Sequence, residues 1–539
     1  MRLLRMLASL LLVLSTSTIF AQHFVLDNTY GQQGYARPNT YTSWLWMHQI
    51  YSSYIQPDGT MILAGTENSS QGIKVVKLKN DGTLDNSFNT TGHATFTANA
   101  GPWQFISISS GANGKILVGY YSQNPGNTRV SILCIKQDGT IDASFGSNGK
   151  AEIGPSMTGN EVFLNAIDVQ ADGKIIVAGT GPDALATSKY FLARLNANGA
   201  PDATFGINGL AKCPYFINEN RNMMLNAVKV QPDGKILGVG MIPPGAQGYP
   251  DSIVLVRYKT NGNLDSAYGN NGISRIGGRF YPGTIRLDAA NSAYVIGAET
   301  IINPQDTLYI RKFSSAGAPV TGFGNNGVLR IPVAFNVWNN HEQKNFFGRF
   351  ELLADGKMMV AGTSDSSATS SFRVCRLLSN GQADTSFATD GMITVPRNIR
   401  DICTGLAIQS DGKIILSGYY RTGEATFDTA RILAMRFGPP VKPNSIASAT
   451  ADLNAGIYPN PIKNNRFVLH YNNQGAAGKV HFSLINSAGQ EVEKGTFLLQ
   501  PGKNSQQILL NSVLIPGNYY IRLLTPGYPM AVIQLMIKN

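Results

Sequence analysis

The chain has 539 residues, 43% of them hydrophobic and 14% charged, with 57 glycines and 26 prolines. That length and apolar content suffice for several cores, the abundance of turn residues suits an all-β protein, and the glycines fall at fixed offsets, which a flexible low-complexity chain would not produce. The formal net charge of +11 raises nucleic-acid binding, but no basic run with interleaved aromatics exists and much of the excess lies at the two chain ends, so that class is set aside.

At the start, Arg2 and Arg5 precede the apolar stretch Met6 to Leu14, then Ser/Thr residues and Ala21. A positive start, a short apolar core and a small residue before the cut describe a secretory signal peptide over 1–21, cleaved between Ala21 and Gln22. The apolar core is too short to span a bilayer, and no other segment reaches eighteen apolar residues in a row. The mature chain is expected to be exported without a transmembrane segment.

Residues 22–437 carry a repeat. Its clearest copy is Asn165 to Gly209: an apolar run to Gln170, the turn Ala171-Asp172-Gly173-Lys174, a second run Ile175 to Ala178, a loop, a third run Tyr190 to Leu195, an Asn-Gly turn, and a coda Asp202 to Gly206. Asp-Gly and Asn-Gly between apolar runs are hairpin turns, because their positive φ suits Gly and Asn. The first turn recurs at Gly59, Gly114, Gly173, Gly234, Gly356 and Gly412, with a decayed copy at Ala289-Ala290-Asn291-Ser292, a mean period of about 59 residues. Four strand-length segments per period predict a β-propeller blade, and seven copies predict seven blades.

The coda recurs at Asp27, Asp85, Asp142, Asp202, Asp265 and Asp384, with a degenerate copy at Thr321 to Gly324. The first coda precedes the first turn and the last turn has no coda after it. The segment after Gly34 is therefore expected to give an outer strand to the blade at 404–437, closing a ring and removing a sheet edge.

These motifs resemble the delta-60 repeat family of secreted bacterial proteins, in which Gln-Pro-Asp-Gly-Lys-Ile, a Leu/Val-Ala-Gly run, Arg-Leu and Asp-x-Ser/Thr-Phe-Gly recur. The fifth repeat departs most, lacking the Asp-Gly turn and the coda Asp, which makes its hairpin the least secure.

No reaction emerges from these residues. The third strand holds a basic residue at one position, Lys77, Arg194, Arg257, Lys312, Arg376 and Arg436, with Cys134 the exception. Pairing with the repeat's own Asp is favoured over an anion-binding ring, and wedging between blades is the favoured role for Phe88, Phe145, Phe205 and Phe387. The six histidines share no motif, Asn80 to Gly82 lacks the ligand spacing of a calcium loop, and no cofactor or metal is expected. Cys375 and Cys403, in neighbouring blades, could pair, but small buried apolar residues is the favoured reading of all four cysteines. Variable loops on the disc face opposite the tight turns are the expected ligand site. The candidates there are Trp103, Tyr121, Tyr249, Tyr281, Trp338 and His341, whose rings suit sugars or apolar peptide side chains.

Residues 438–456 read as a linker, opening on Gly438-Pro439-Pro440. Short strands broken by turns over 457–539 predict a small β-sandwich. This tail looks like the type A C-terminal sorting domain of the type IX secretion system of Bacteroidetes, through Tyr458-Pro459-Asn460-Pro461, the Ser487 to Gln490 turn, the strand around Gly517 and Tyr519, and a basic end. The resemblance implies an immunoglobulin-like fold, the type IX machinery as partner, and an extracellular or outer-membrane-surface destination. The function expected is recognition of a glycan or protein, or structural display; the alternative is a polysaccharide-active lyase or hydrolase, since fold alone does not decide.

Overall fold

In the computed structural model of the chain the described residues are 24–38, 49–67, 72–97, 106–124, 127–153, 162–181, 190–213, 224–242, 252–278, 280–298, 308–331, 349–364, 370–388, 390–395, 400–421, 430–439, 456–463, 466–473, 478–486, 491–510, 514, 517–524 and 531–537. The expected signal peptide at 1–21 and most of the expected linker at 438–456 lie outside them. Apart from one 3-10 turn at Ala112–Gly114, the regular elements among them are strands, and the protein is all-β. Among these residues no helix is long and apolar enough to cross a membrane.

The third repeat shows how the sequence makes its hairpins. Phe163–Val169, Ile175–Thr180 and Tyr190–Leu195 pair antiparallel in succession. The first turn closes through Gln170 N–H to Lys174 O at 2.8 Å and Gly173 N–H to Gln170 O at 2.9 Å, with Gly173 at φ +84°. Asp172 Oδ1 accepts from Lys174 N–H at 3.1 Å, an Asx turn that fixes the corner. The second and third strands are buried on both faces, which is why their sequences are nearly continuous apolar runs.

The same plan gives four-stranded sheets at 49–97, 107–153, 224–277, 281–330 and 349–394, and a three-stranded sheet at 163–195 whose next segment makes isolated bridges such as Ala193 with Leu210. A further sheet joins both ends of the region. Arg400–Ile408, Ile414–Arg421 and Ala430–Gly438 pair in order, and Val25–Leu26 and Tyr35–Ala36 add to the last of them, Leu26 opposite Phe437 and Tyr35 opposite Met435. The fifth repeat keeps its hairpin: Asn291 takes the glycine's place at φ +60°, and Asp288 Oδ1 accepts from Ala290 and Ser292 N–H.

Sheets that follow in sequence are neighbours. Each first strand touches the next one, from Gln49–Ile55 through to Arg400–Ile408, and that last strand touches Gln49–Ile55 again. One backbone bond recurs between sheets, from the coda of one repeat to the second turn of the next: Gly31 N–H to Asp81 O, Asn89 to Asp138, Gly146 to Asn198, Gly206 to Asn261 and Gly269 to Ala316. Phe88, Phe145, Phe205 and Phe387 are buried in clusters drawn from adjacent sheets. All four cysteines are buried and none is in a disulfide, so the pair Cys375–Cys403 does not form.

The tail has its own core. Glu491–Leu499, Gly478–Asn486, Gly517–Leu524 and Ala531–Ile537 make one four-stranded part, and Gly456–Lys463, Arg466–Asn473 and Gly502–Leu509 a three-stranded one. The two meet where Ile462 pairs parallel with Ile537. Phe467, Leu469, Val480, Leu484, Ile521, Leu523 and Leu535 fill the space between.

Candidate functional site

The repeated charges are the first candidates, and the structure binds them to one another. Arg194 Nε donates to Asp202 Oδ2 at 2.7 Å, Lys174 Nζ lies 3.0 Å from the same oxygen, and Thr204 donates to Oδ1 through N–H and hydroxyl. The Arg194 guanidinium lies 4.5 Å from the centre of the Phe205 ring and donates through Nη1 to Thr260 O in the next sheet. The arrangement recurs with Arg257–Asp265–Lys235, Arg376–Asp384–Lys357 and Arg436–Asp27–Lys413, the last joining residues 409 apart in sequence.

Departures compensate locally. Where Cys134 replaces the basic residue, Lys115 pairs with Asp142; where the fifth coda lacks its Asp, Lys312 pairs with Asp288 of the turn. Burial works against the charge of Asp202, but the Thr204 hydroxyl, Lys174 and Arg194 outweigh it and hold the carboxyl well below its ordinary range. The hydrogen bond from Lys115, with Ser144, holds Asp142 at about 2. At neutral pH these carboxylates are ionised and their oxygens are taken up by donors of the repeat itself, which suits a structural role rather than that of a general acid. Among the described residues no group of His, Cys, Asp and Glu is placed to hold a metal ion.

A second set was not singled out in the sequence. Five residues before each first-turn Gly or Asn stand Tyr54, Ser109, Asp168, Lys229, Arg286, Glu351 and Ala407, near the ends of the first strands. Lys229 Nζ is 3.0 Å from Asp168 Oδ2, and Arg286 grips Glu351 bidentately at 3.0 and 2.6 Å, each pair joining adjacent sheets. Arg349, two residues before Glu351 on one strand, has its pKa lowered to about 10: burial lowers it, Cys403 opposes, and the Arg286 guanidinium adds. Opposite charges at one repeat position in consecutive repeats, Asp168 then Lys229 and Arg286 then Glu351, were the available signal.

Clefts lie between sheets among the described residues. One, of about 880 Å³, runs between the third and fourth repeats on the tight-turn face, past Asp168, Lys229, Gln170 and Gln231. Another, of about 1020 Å³, lies among the first three repeats and takes in Phe96, Tyr120, Ile141 and Pro201.

Of the expected loop-face residues, Trp103, Tyr249, Trp338 and His341 lie outside the described residues, as do Ala21 and Gln22. Tyr121 and Tyr281 are not on an open face. Tyr121 belongs to strand Ile116–Asn124, is 5% exposed, and packs edge-on against Phe163 at 5.1 Å; Tyr281 opens strand Tyr281–Leu287 and is 8% exposed. Strand pairing runs further than expected: Tyr121 to Asn124 pair with Val130 to Asn127, so that stretch is a hairpin rather than a loop. In the tail, Tyr458 is 70% exposed, Asn460 Oδ1 accepts from Met536 N–H at 2.8 Å beside the junction of the two strand groups, and Pro459, Pro461 and Gly517 lie in strands. Tyr519 belongs to the core.

Five stretches, 56–88, 111–145, 170–205, 231–268 and 353–387, match the family model described as a domain of unknown function (DUF5122) beta-propeller. No curated protein matches the sequence. Similar solved structures include a protein of unknown function from Dyadobacter fermentans (12% identity, TM-score 0.36, covering 62% of this chain and 94% of that one) and the polysaccharide lyase Uly1 (11%, 0.42, 75% and 94%). A GH43 β-1,3-galactosidase is also similar (10%, 0.27, 71% and 89%). At such TM-scores these likenesses carry no argument about chemistry. The matched stretches hold the first-turn and coda motifs of five repeats, and the chain is a β-propeller repeat protein.

Proposed function

We propose that residues 22–437 form a single closed seven-bladed propeller, exported by the leader at 1–21 and followed, after a linker at 438–456, by an immunoglobulin-like sorting domain at 457–539. Its role is recognition of a glycan or surface protein, or display of the scaffold, and not catalysis. One observation carries the non-catalytic reading: the polar residues that recur from blade to blade are bound to each other. The Asp, Arg, Lys and Ser/Thr of a repeat use their hydrogen-bonding atoms within the blade or on the next one. What differs between repeats is the unrepeated loops, and a rigid scaffold with variable loops is a binding design.

Trp103, Tyr249, Trp338 and His341 remain the loop-face candidates; Tyr121 and Tyr281 serve the core. The mature chain is expected to retain a ligand on arrays of glycans and polysaccharides without releasing product, and to lose it on Trp338→Ala or Trp103→Ala. Released oligosaccharides would overturn the reading in favour of a lyase or hydrolase.

The tail is the address for type IX export to the outer-membrane surface or medium. The separate core of 457–539 supports that reading. Deleting 457–539 should leave the protein in the periplasm, seen by fractionation; normal surface arrival of the truncated chain would refute the sorting role.

A further inference from the structure

We propose that Asn113 is a site of spontaneous covalent modification, its side-chain amide becoming a carboxylate through a cyclic imide formed with the backbone nitrogen of Gly114. The chain holds eight Asn-Gly pairs, all among the described residues. Glycine leaves the ring-closing nitrogen unhindered, so the sequence favours all eight alike. The structure separates them. Ring closure needs the glycine nitrogen to leave its place in the turn and approach the Asn Cγ, so a bonded N–H or a buried glycine holds it back. Gly149, Gly199, Gly209, Gly262, Gly272 and Gly381 are buried, and each donates a backbone hydrogen bond of 2.8 to 3.0 Å within its own turn or coda. Gly327 donates none among the described residues but is buried. Gly114 alone of the eight is only half-buried, it too donates no backbone bond among the described residues, and Asn113 is exposed.

The cause is local. The first turns at Gly59, Gly173, Gly234, Gly356 and Gly412 close through the glycine N–H. In the second repeat Asn113 is itself left-handed, at φ +56° and ψ +32°, and the inner bond runs instead from Lys115 N–H to Ala112 O at 3.3 Å. Gln137 Nε2 donates to Gly114 O, which belongs to the following peptide unit and does not engage the reacting nitrogen. In the reaction that nitrogen gives its proton to water and bonds to Asn113 Cγ, while the Cγ–Nδ2 bond breaks and ammonia leaves. Water then opens the imide at either carbonyl, giving aspartate, or isoaspartate with its main chain longer by a methylene. The aspartate product restores the Asp-Gly of the other repeats, where Asp172, Asp233, Asp355 and Asp411 accept the N–H two residues on. The isoaspartate product lengthens a turn beside the Lys115–Asp142 pair.

The test is incubation of the full mature chain in mildly alkaline buffer, folded and in urea, with peptide mapping of the eight pairs by mass spectrometry. In the folded chain Asn113 should convert ~5-fold or more faster than any other pair, since the others must first break a backbone bond or expose a buried glycine. In urea the eight rates should converge, because the protection is that of the fold. Asn113→Asp should remove the fast phase of ammonia release from the folded chain and leave the slow one. Another pair converting first in the folded chain, equal rates for all eight there, or Asn113 keeping its lead in urea would overturn the proposal.

Discussion

The coda aspartate is the residue on which each sheet turns. Asp202 caps its own loop with one oxygen and holds two cations with the other, with its side chain 4% exposed beside an Arg194 side chain that is 5% exposed. Asp202→Ala leaves Arg194 without its buried counter-ion, a loss of about 3–5 kcal/mol in urea unfolding; a cost near that of an ordinary surface change would contradict the role assigned here. The pH dependence has a definite sign. The folded-state pKa of these carboxyls is depressed, so their contribution is fully present above the unfolded value near ~4 and is lost as pH falls through the folded one. For Asp142 that window runs from about 4 down to about 2. The Asp202→Ala chain should lose less stability than the parent over the same acid range.

At the scale of the element, the second hairpin turn is the joint between sheets. A Cβ on Gly199, at φ +84°, would sit 2.9 Å from Gly146 N and 2.9 Å from the Phe145 ring of the preceding repeat. Gly412, at φ +81° in a first turn, has nothing within 4 Å. Gly412→Ala should therefore cost only left-handed backbone strain, about 1–2 kcal/mol, and Gly199→Ala that strain plus about 1–3 kcal/mol of overpacking. Equal urea midpoints for the two variants would count against the joint. The contrast also marks what could be read beforehand. Hairpins, and the pairing of Arg194 with Asp202 eight residues on, follow from local spacing and were legible. That Gly199 meets Phe145, or that Arg194 reaches Thr260, depends on contacts more than fifty residues away, and no local pattern encodes them. The same limit explains Tyr121 and Tyr281: both were expected on the variable loops, but ladder pairing and burial between sheets place both in strands. In the fifth repeat the converse holds, since Asp288 and Asn291 were in plain view as substitutes for the missing Asp-Gly turn and coda Asp.

For the whole molecule the issue is how a repeat array ends. An open stack would leave one sheet edge and two apolar flanks in water. Here Val25–Leu26 and Tyr35–Ala36 lie on the last strand of the repeat region, and Asp27 serves Arg436 just as Asp202 serves Arg194. Phe24 continues the join to the sixth repeat, its N–H bonding Phe387 O at 2.8 Å and its ring 5.0 Å from that of Phe387. The proposed closed propeller is thus stapled by a copy of its own internal device. An experimental electron density map of the mature chain tests this most directly. The account predicts seven sectors around one axis, with 25–26 and 35–36 as outer strands on residues 430–438. Six or eight sectors, an open stack, or a chain start lying elsewhere would contradict it.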